Sequence, residues 1–250
     1  MKASNQLKNN YVLITGASSG IGFQIAKDFL SEGALAGVHY CRNKKGIEKL
    51  RKCAKPGQCR IFQADFSRSE EVLRLWDEFI LWSKNRIDVL VNNAGEVGER
   101  IPLRELSEEA WDMAFQVNVK APFLLSRAAL SVMSKQRSGR IINISSIGVK
   151  FGGSPTTAHY SASKAALEAM TGSFAKAAAP FNVLVNVVRA GVTDTPLHTK
   201  TSRRDLSRRT AMIPLKRLAR PAEISNVVIF LAGKKSSFIT KAIIDVAGGE

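Results

Sequence analysis

Short apolar runs alternate with amphipathic helical segments along almost the whole chain, and this alternation limits the possible folds most strongly. The runs are rich in Val and Ile, as in Tyr11–Thr15 and Val183–Val188. Continuous apolar strands of this kind are buried on both faces, and the helices between them are the crossovers that a parallel sheet needs. The sequence therefore predicts an α/β fold, with a parallel sheet covered by helices on both faces.

We expect seven strands and six helices. The predicted strands are Tyr11–Thr15, Ala34–Tyr40, Arg60–Gln63, Asp88–Val91, Arg140–Ser145, Val183–Val188 and Ala242–Val246. The predicted helices are Ile21–Leu30, Lys44–Cys53, Ser69–Ser83, one long helix from Ser107 to about Met133, His159–Ala178, and Pro221 to about Leu231. Ser107 is a plausible N-cap and Pro221 suits a first turn. Because the chain shows no repeat or linker, we expect one domain over residues 1–250.

Composition removes several classes of protein. The chain is 45% hydrophobic and 23% charged, which is ordinary for a globular protein and argues against disorder. Its apolar runs are too short to span a membrane, and the polar start MKASNQLKNN does not resemble a secretory signal. Three cysteines without a CxxC pair, and histidines at 39, 159 and 198 without metal spacing, predict no disulfide framework and no metal site. We therefore expect a cytoplasmic protein.

A glycine-rich turn, Thr15-Gly-Ala-Ser-Ser-Gly-Ile-Gly22, directly follows the first predicted strand and opens the first helix. Glycines at these positions permit a tight turn and let a pyrophosphate approach the helix N-terminus, whose free N–H groups favour an anion. An ordinary strand–helix turn is the alternative. The position after the first strand favours a nucleotide site, with contacts from Gly16, Ser18, Ser19, Gly20, Ile21 and Gly22.

Two further motifs carry polar groups at strand ends or on a helix. Asn92-Asn93-Ala-Gly95 follows strand four, where open α/β sheets bind ligands, although an Asn/Gly turn explains it equally well.

Tyr160 and Lys164 lie four residues apart on one helix face, after Ser145-Ser146 at the end of strand five. A nearby ammonium lowers the pKa of a tyrosine toward the range useful for proton transfer. A surface Tyr–Lys pair is the alternative.

Together, the motifs and their order resemble the classical short-chain dehydrogenase/reductase family, and most closely its 3-oxoacyl-[acyl-carrier-protein] reductases. The resemblance covers essentially the whole chain and rests on TGASSGIG, Asp65, NNAG, Asn118, Ser146, YSASK and the pair Gly248-Gly249. It implies a single-domain, Rossmann-type, doubly wound parallel sheet of seven strands. It also implies a homotetramer (or homodimer) built by the helices at about 107–133 and 159–178.

The resemblance also implies catalytic roles. Tyr160 would give a proton to a carbonyl oxygen, and Ser146 would hold that oxygen. Lys164 would lower the pKa of Tyr160 and bind the nicotinamide ribose. Asn118 would hold a water that relays protons from Lys164, although a polar residue at a helix kink is its simpler interpretation.

The expected cofactor and substrate contacts follow from the same resemblance. Asp65 with Phe66 would meet the adenine, although Asp65 could instead be a helix cap. The other cofactor contacts would come from Tyr40, Arg42, Asn43, Asn92, Ala94, Gly95, Thr193 and Thr195, and the further substrate contacts from Ile147 and Gly191.

Three positions depart from the family pattern. Ser146 lies 14 residues before Tyr160, one more than the commonest spacing. Ala190-Gly191 replaces the usual Pro-Gly after strand six, which we expect to loosen that turn and reshape the pocket floor. Thr240-Lys241 replaces Thr-Gly, which puts the packing of the sheet edge and of subunits there in doubt.

The end of strand two predicts NADPH as cofactor. Family members that prefer NAD carry an acidic residue there, whereas residues 39–45 contain none and include Arg42, which can pair with a 2′-phosphate. A solvated basic loop is the alternative. Because NADPH members are mostly reductases, we expect reduction of a carbonyl to an alcohol.

The net charge of +16 is concentrated in two segments. Residues 42–60 hold eight basic residues and one acid, and residues 199–220 hold eight basic residues and one acid, so each carries +7. The second segment overlaps residues 190–220, which lack clear periodicity and which the resemblance identifies as a lid over the substrate. A basic lid suits an acidic acyl carrier protein or a coenzyme A thioester, although a solvated basic surface would look the same.

The sequence thus favours an NADPH-dependent 3-oxoacyl thioester reductase. A reductase or dehydrogenase of a free ketone, quinone, sugar or other small alcohol is the second hypothesis. A basic nucleic-acid-binding protein is a remote third, since no signature of such proteins appears.

Overall fold

The computed structural model describes residues 6–196 and 206–250. Its sheet contains the strands β1 (Tyr11–Ile14), β2 (Leu35–Tyr40), β3 (Cys59–Gln63), β4 (Val89–Asn92), β5 (Gly139–Ser146), β6 (Val183–Ala190) and β7 (Ile243–Val246). Their order is β3-β2-β1-β4-β5-β6-β7, and every neighbouring pair is parallel. The predicted seven-stranded doubly wound sheet is confirmed.

The helices of the described residues are α1 (Gly20–Ser31), α2 (Lys44–Arg51), α3 (Ser69–Trp82), α4 (Glu108–Phe115), α5 (Ala121–Gln136), α6 (Ala158–Ala178), α7 (Ser207–Met212) and α8 (Pro221–Ala232). Ser107 caps α4 by accepting a hydrogen bond from the Ala110 amide, and Pro221 occupies the first turn of α8, both as predicted. The single long helix expected from Ser107 is wrong in one respect. A π-helical turn over Gln116–Lys120 separates α4 from α5, a local widening that hydrophobic periodicity does not reveal.

Apolar side chains leave the strands alternately toward two cores, one on each face of the sheet. In β1, Val12 and Ile14 pack toward α1, α2 and α8, whereas Leu13 packs toward α3, α5 and α6. Both faces of the sheet are therefore buried, which explains why the strands are continuous apolar runs in the sequence.

The chain reverses its winding between β1 and β4, which are adjacent although two strands separate them in sequence. In a doubly wound sheet, ligands bind at such a switch point, beyond the carboxyl ends of the strands. The glycine-rich turn follows β1 and the NNAG segment follows β4, so both predicted motifs reach this crevice.

The end of β6 is tighter than expected. Instead of loosening at Ala190, β6 continues through it, and Ala190 pairs with Ser146 on one side and Val246 on the other. The amide of Gly191 then donates to the carbonyl of Val246 at 2.9 Å. An alanine extends the ladder here because, unlike proline, it retains its N–H group.

Neither a membrane-spanning helix nor a metal-type cluster occurs within the described ranges. No helix there is both long and apolar enough to cross a bilayer. Groups of three or more His, Cys, Asp or Glu side chains arranged for a metal ion are likewise not found in residues 6–196 and 206–250.

The lysine that replaces the family's glycine near β7 has a left-handed backbone. Lys241 has φ of 62°, and its amide donates to the Val185 carbonyl at 2.8 Å, which holds the turn against β6. Left-handed backbone costs an L-residue about 1–2 kcal/mol, while glycine adopts it freely but loses more entropy on folding.

We therefore expect Lys241→Gly to raise the free energy of unfolding by roughly 0.5–1 kcal/mol, or a few degrees in Tm. Lys235→Gly is the matched control, because Lys235 lies in a right-handed turn, Lys234–Ser236, and should lose stability. Thermal unfolding followed by circular dichroism measures both, and an equal loss in the two variants would contradict the argument.

Candidate active site

The glycine-rich turn has the geometry that its sequence predicts. Gly16 and Gly20 have φ of +67° and +55°, and a Cβ atom on Gly22 would lie 2.3 Å from the Gly16 carbonyl oxygen. Glycine is thus required at the turn and where α1 passes it. Helix α1 begins at Gly20 without a side-chain cap at Ser19, so its first N–H groups are available to an anion.

The end of β2 lies beside this turn. Asn43 caps α2 by accepting from the Gly46 amide at 3.1 Å, and its Nδ2 donates to the Ser18 carbonyl at 3.0 Å. A Cβ on Gly46 would meet the same carbonyl oxygen at 1.9 Å, so α2 and the turn are in close contact. Arg42 is exposed at this edge, while Tyr40 is buried and its hydroxyl donates to Gln63 at 3.2 Å.

Asn93, rather than Asn92, connects the NNAG segment to the glycine-rich turn. Nδ2 of Asn93 donates to the carbonyls of Thr15 and Gly16, at 2.9 and 3.2 Å. Nδ2 of the buried Asn92 instead donates to Asn143 on β5 and Ser126 on α5. Asn92 therefore joins elements of the fold, and sequence reasoning missed the part played by its neighbour.

The proposed catalytic side chains meet at the carboxyl end of β5. Lys164 Nζ lies 5.9 Å from the centre of the Tyr160 ring and donates to the Ile144 carbonyl at 2.9 Å. Ser146 ends β5, where its Oγ accepts from the Gly148 amide at 3.2 Å, and its hydroxyl lies near enough to Tyr160 to affect the pKa of that side chain. Gly95, Ala94's neighbour, borders this group, because a Cβ there would lie 3.2 Å from Lys164 Nζ.

The pKa of Tyr160 differs from the expectation. Burial raises the pKa of Tyr160 above its usual value, and the hydrogen bond with Ser146 opposes this only in part. Burial also lowers the pKa of Lys164 to about 8, against the attraction of Glu168. The predicted lowering of the tyrosine pKa by Lys164 is therefore not found here, because desolvation of the phenolate is the largest cause and raises that pKa. Tyr160 is consequently neutral near pH 7 and can act as an acid.

Asn118 lies in the π-helical turn, fully buried. Its Nδ2 donates to the Glu96 carbonyl and to Ser163 Oγ, at 2.8 and 2.9 Å, and its Oδ1 accepts from the Glu96 amide at 2.8 Å. The side chain thus connects the segment after β4 to α6. Both interpretations of Asn118, the helix irregularity and the active-site residue, fit this position.

The remaining predicted residues lie around the same crevice. Asp65 Oδ1 accepts from the Ser67 amide at 3.0 Å, and this bond holds the Asp65 pKa below its usual range, with help from Arg42 and Arg68. Thr193 is buried and bonded to the Gly191 carbonyl, and Thr195 lies 3.1 Å from where a Gly20 Cβ would stand. Ile147 is buried. In the predicted lid, His198, Lys200, Arg203 and Arg204 lie outside the described residues.

His39 is a site residue that sequence reasoning missed. Its Nδ1 accepts from the Gly16 amide at 3.1 Å, its Nε2 donates to the Ala64 carbonyl at 3.0 Å, and its ring stacks on Phe66 at 4.0 Å. Burial lowers the His39 pKa to about 4, so the ring stays neutral and Nδ1 remains an acceptor at neutral pH. The available signal was a polar residue within an otherwise apolar strand, directly before Tyr40.

We expect His39→Phe to weaken binding of a nicotinamide dinucleotide by roughly tenfold, since the ring can still stack but leaves two buried backbone groups unpaired. The measurement is the Kd for NADPH by titration calorimetry. Ser236→Ala, which removes a buried hydrogen bond to Leu231, is the control for a simple loss of stability and should leave the Kd unchanged. Equal Kd values for His39→Phe and the unchanged protein would contradict the assignment.

Comparisons with known proteins agree with this geometry. Residues 16–250 match the family described as Enoyl-(Acyl carrier protein) reductase. The chain is 35% identical over 246 residues to the 3-oxoacyl-[acyl-carrier-protein] reductase FabG of Thermotoga maritima, covering 98% of each chain. It is 33% identical over 241 residues to an acetoacetyl-CoA reductase of Acinetobacter, covering 95% of this chain and 96% of the relative.

The relatives also include an enzyme named for a substrate that is not a thioester. A cyclopentanol dehydrogenase of Comamonas testosteroni is 33% identical over 249 residues, covering 98% of each chain. A solved structure described as a short chain dehydrogenase/reductase family protein superposes with a TM-score of 0.87 at 31% identity, covering 98% of each chain. The resemblance seen in the motifs is therefore confirmed: the chain belongs to the short-chain dehydrogenase/reductase family, whose members are oxidoreductases that use a nicotinamide cofactor.

Proposed function

We propose that this protein is an NADPH-dependent reductase of 3-oxoacyl thioesters, carried by acyl carrier protein or coenzyme A. The observation that carries the proposal is the meeting of Ser146, Tyr160 and Lys164 at the end of β5, next to Gly95. This arrangement offers two hydroxyl groups to one carbonyl oxygen. Relatives named as 3-oxoacyl-[acyl-carrier-protein] and acetoacetyl-CoA reductases support the thioester as substrate.

The residues of the crevice fit a dinucleotide phosphate. Gly16, Gly20 and Gly22 let the turn and α1 pack closely against the segments after β4 and β6, and the start of α1 presents free N–H groups beside that turn. Bound NADPH would supply the hydride for the carbonyl carbon. Arg42, exposed at the end of β2, would pair with the 2′-phosphate, for which a carboxylate would be unsuitable.

The protein's own groups would manage the proton. Tyr160, neutral near pH 7, would donate its hydroxyl proton to the carbonyl oxygen, and the Ser146 hydroxyl would donate a hydrogen bond to the same atom. The phenolate left on Tyr160 would be stabilised by the Lys164 ammonium, whose charge largely persists at neutral pH with a pKa of about 8.

Not every basic side chain of the predicted lid is available to an anionic carrier, because some are paired with carboxylates of this chain. Of the cationic side chains described there, Arg209 pairs with Glu250, and Arg217 pairs with Glu223 at 2.7 Å. Arg208 is exposed and is the described arginine of this segment best placed to meet an acidic partner. Arg203 and Arg204 lie outside the described residues.

We also propose a homotetramer working in the cytoplasm. Trp111, Met113 and Phe123 are exposed on α4 and α5, and Met113 and Phe123 line a groove of about 880 Å³ together with Met170 of α6. Apolar surface of this kind favours association with a second copy.

Cys41, Cys53 and Cys59 are free thiols, which agrees with a reducing compartment.

The proposal predicts oxidation of NADPH by acetoacetyl-CoA and longer 3-oxoacyl thioesters, in preference to cyclopentanone and crotonyl-CoA. Cyclopentanone tests the free-ketone alternative, and crotonyl-CoA tests reduction of a carbon–carbon double bond. Tyr160→Phe should lower kcat by roughly 10²–10⁴-fold, the usual contribution of a general acid, with little change in the Kd for NADPH.

Tyr11→Phe is the control for that variant, because Tyr11 packs against Trp82 away from β5. Turnover of Tyr160→Phe near that of the unchanged protein would exclude the mechanism. Faster reduction of cyclopentanone or crotonyl-CoA than of every 3-oxoacyl thioester would exclude the substrate class.

The cofactor is tested separately. We expect kcat/KM to be at least tenfold higher with NADPH than with NADH, and Arg42→Ala to lose roughly tenfold with NADPH alone, as expected for one charge-assisted contact. Arg51→Ala, which removes a cation at the other end of α2, should change neither value. A kcat/KM for NADH equal to that for NADPH in the unchanged protein would show the assignment to be wrong.

A further inference from the structure

A buried ion pair lies one helical turn beyond the catalytic lysine. Tyr160, Lys164 and Glu168 follow one another at intervals of four on α6, so they share one helix face. Glu168 is 9% exposed. Its Oε1 accepts from Ser145 Oγ at 2.6 Å, and its two oxygens accept from Arg189 Nε and Nη2 at 3.0 and 2.6 Å. A buried carboxylate is costly unless it is paired in this way.

The pair continues into a network at the edge of the sheet. Arg189, on β6, also donates from Nη1 to Asp245 on β7 at 3.0 Å. Asp245 in turn lies 3.3 Å from Lys150, in the segment after β5. The charge of Glu168 is therefore balanced by Arg189, while Asp245 and Lys150 balance each other behind it.

The network touches the active site through three consecutive residues of β5. The Ile144 carbonyl accepts from Lys164, the Ser145 hydroxyl donates to Glu168, and the Ser146 hydroxyl lies near Tyr160. The end of β5 is thus hydrogen-bonded to α6 at two consecutive residues, directly before Ser146. Glu168 supplies one of these two bonds, so the position of the Tyr160 hydroxyl relative to the Ser146 hydroxyl depends on it.

We propose that Glu168 and Arg189 are a positioning pair for the reduction, in which the carboxylate holds β5 against α6 and supports the Lys164 ammonium, and the guanidinium holds that carboxylate in place through two hydrogen bonds. The inference rests on the proposed role of Tyr160 and Lys164. Glu168 and Arg189 touch neither substrate nor cofactor in this scheme.

The sign of the pH effect follows from the groups around Lys164. Tyr160 and Glu168 face it from its own helix, and the main chain of Ile144 faces it from β5. Arg189 of β6 faces Glu168, with Asp245 and Lys150 beyond. Removing the negative charge of Glu168 would lower the pKa of Lys164 further and would also ease ionisation of Tyr160. Both changes move the alkaline limit of reduction to lower pH.

Glu168→Gln is the main test, because Gln keeps the shape and can still accept from Ser145. We expect the alkaline limb of kcat/KM for acetoacetyl-CoA to move down by about one pH unit, with a greater loss in kcat than in KM. The 13Cε resonance of Lys164 in the free protein, assigned by its absence in Lys164→Met, should titrate at correspondingly lower pH. This second readout does not require activity.

Further variants separate positioning from stability. Glu78→Gln breaks an Arg–Glu pair with Arg74 on α3, and should move neither the pH limb nor the Lys164 resonance. Arg189→Lys should retain most of the activity that Arg189→Met loses. If Glu168→Gln alone does not fold, the double variant Glu168→Gln with Arg189→Gln replaces it, because it leaves no unpaired charge at either position. It should show the same downward shift of the alkaline limb and of the Lys164 titration.

A lower Tm without any shift of the pH limb or of the Lys164 titration would overturn the inference. If the unchanged protein reduces no carbonyl, the proposed function fails, but the Lys164 titration still decides whether Glu168 supports that ammonium.

Discussion

The parallel register of β1, β4 and β5 decides where every functional group lies. Since the three strands are neighbours, their carboxyl ends open onto one crevice, and the segments that follow them meet there. The glycine-rich turn, the NNAG segment and the Ser145-Ser146 end are far apart in sequence. A slip of one residue in either pairing would turn alternate side chains to the opposite face and separate these groups.

Buried polar side chains reinforce this register between two apolar cores. Asn92 on β4 donates to Asn143 on β5 at 2.8 Å, and Asn143 donates to Thr171 on α6 at the same distance. The chain Asn92–Asn143–Thr171 therefore fixes α6, which carries Tyr160 and Lys164, over the end of β5. Such groups are tolerated in a core only when they are paired, and their specific pairing makes an alternative packing costly.

Electrostatics at the site are governed by burial as much as by neighbouring charge. The spacing of Tyr160 and Lys164 in the sequence predicted that Lys164 would lower the Tyr160 pKa. Desolvation of the phenolate instead raises that pKa, so the tyrosine keeps its proton and can act as an acid. The direction suits reduction, in which the substrate oxygen must receive a proton. The charged pair of Glu168 and Arg189 acts on Lys164 from one helical turn away. Neither residue belongs to the motifs that identify the family.

The sequence by itself determined the class of fold, the order of its elements and the motifs at the strand ends, because these depend on local periodicity and on glycines that only certain turns require. Tertiary structure alone decided three other things. The π-helical turn at Asn118 and the extension of β6 through Ala190 come from contacts with neighbouring elements, which periodicity does not encode. The roles of His39 and Asn93, and the pairing of Glu168 with Arg189, depend on residues 21 to 78 positions apart in sequence that become neighbours only when the sheet is assembled.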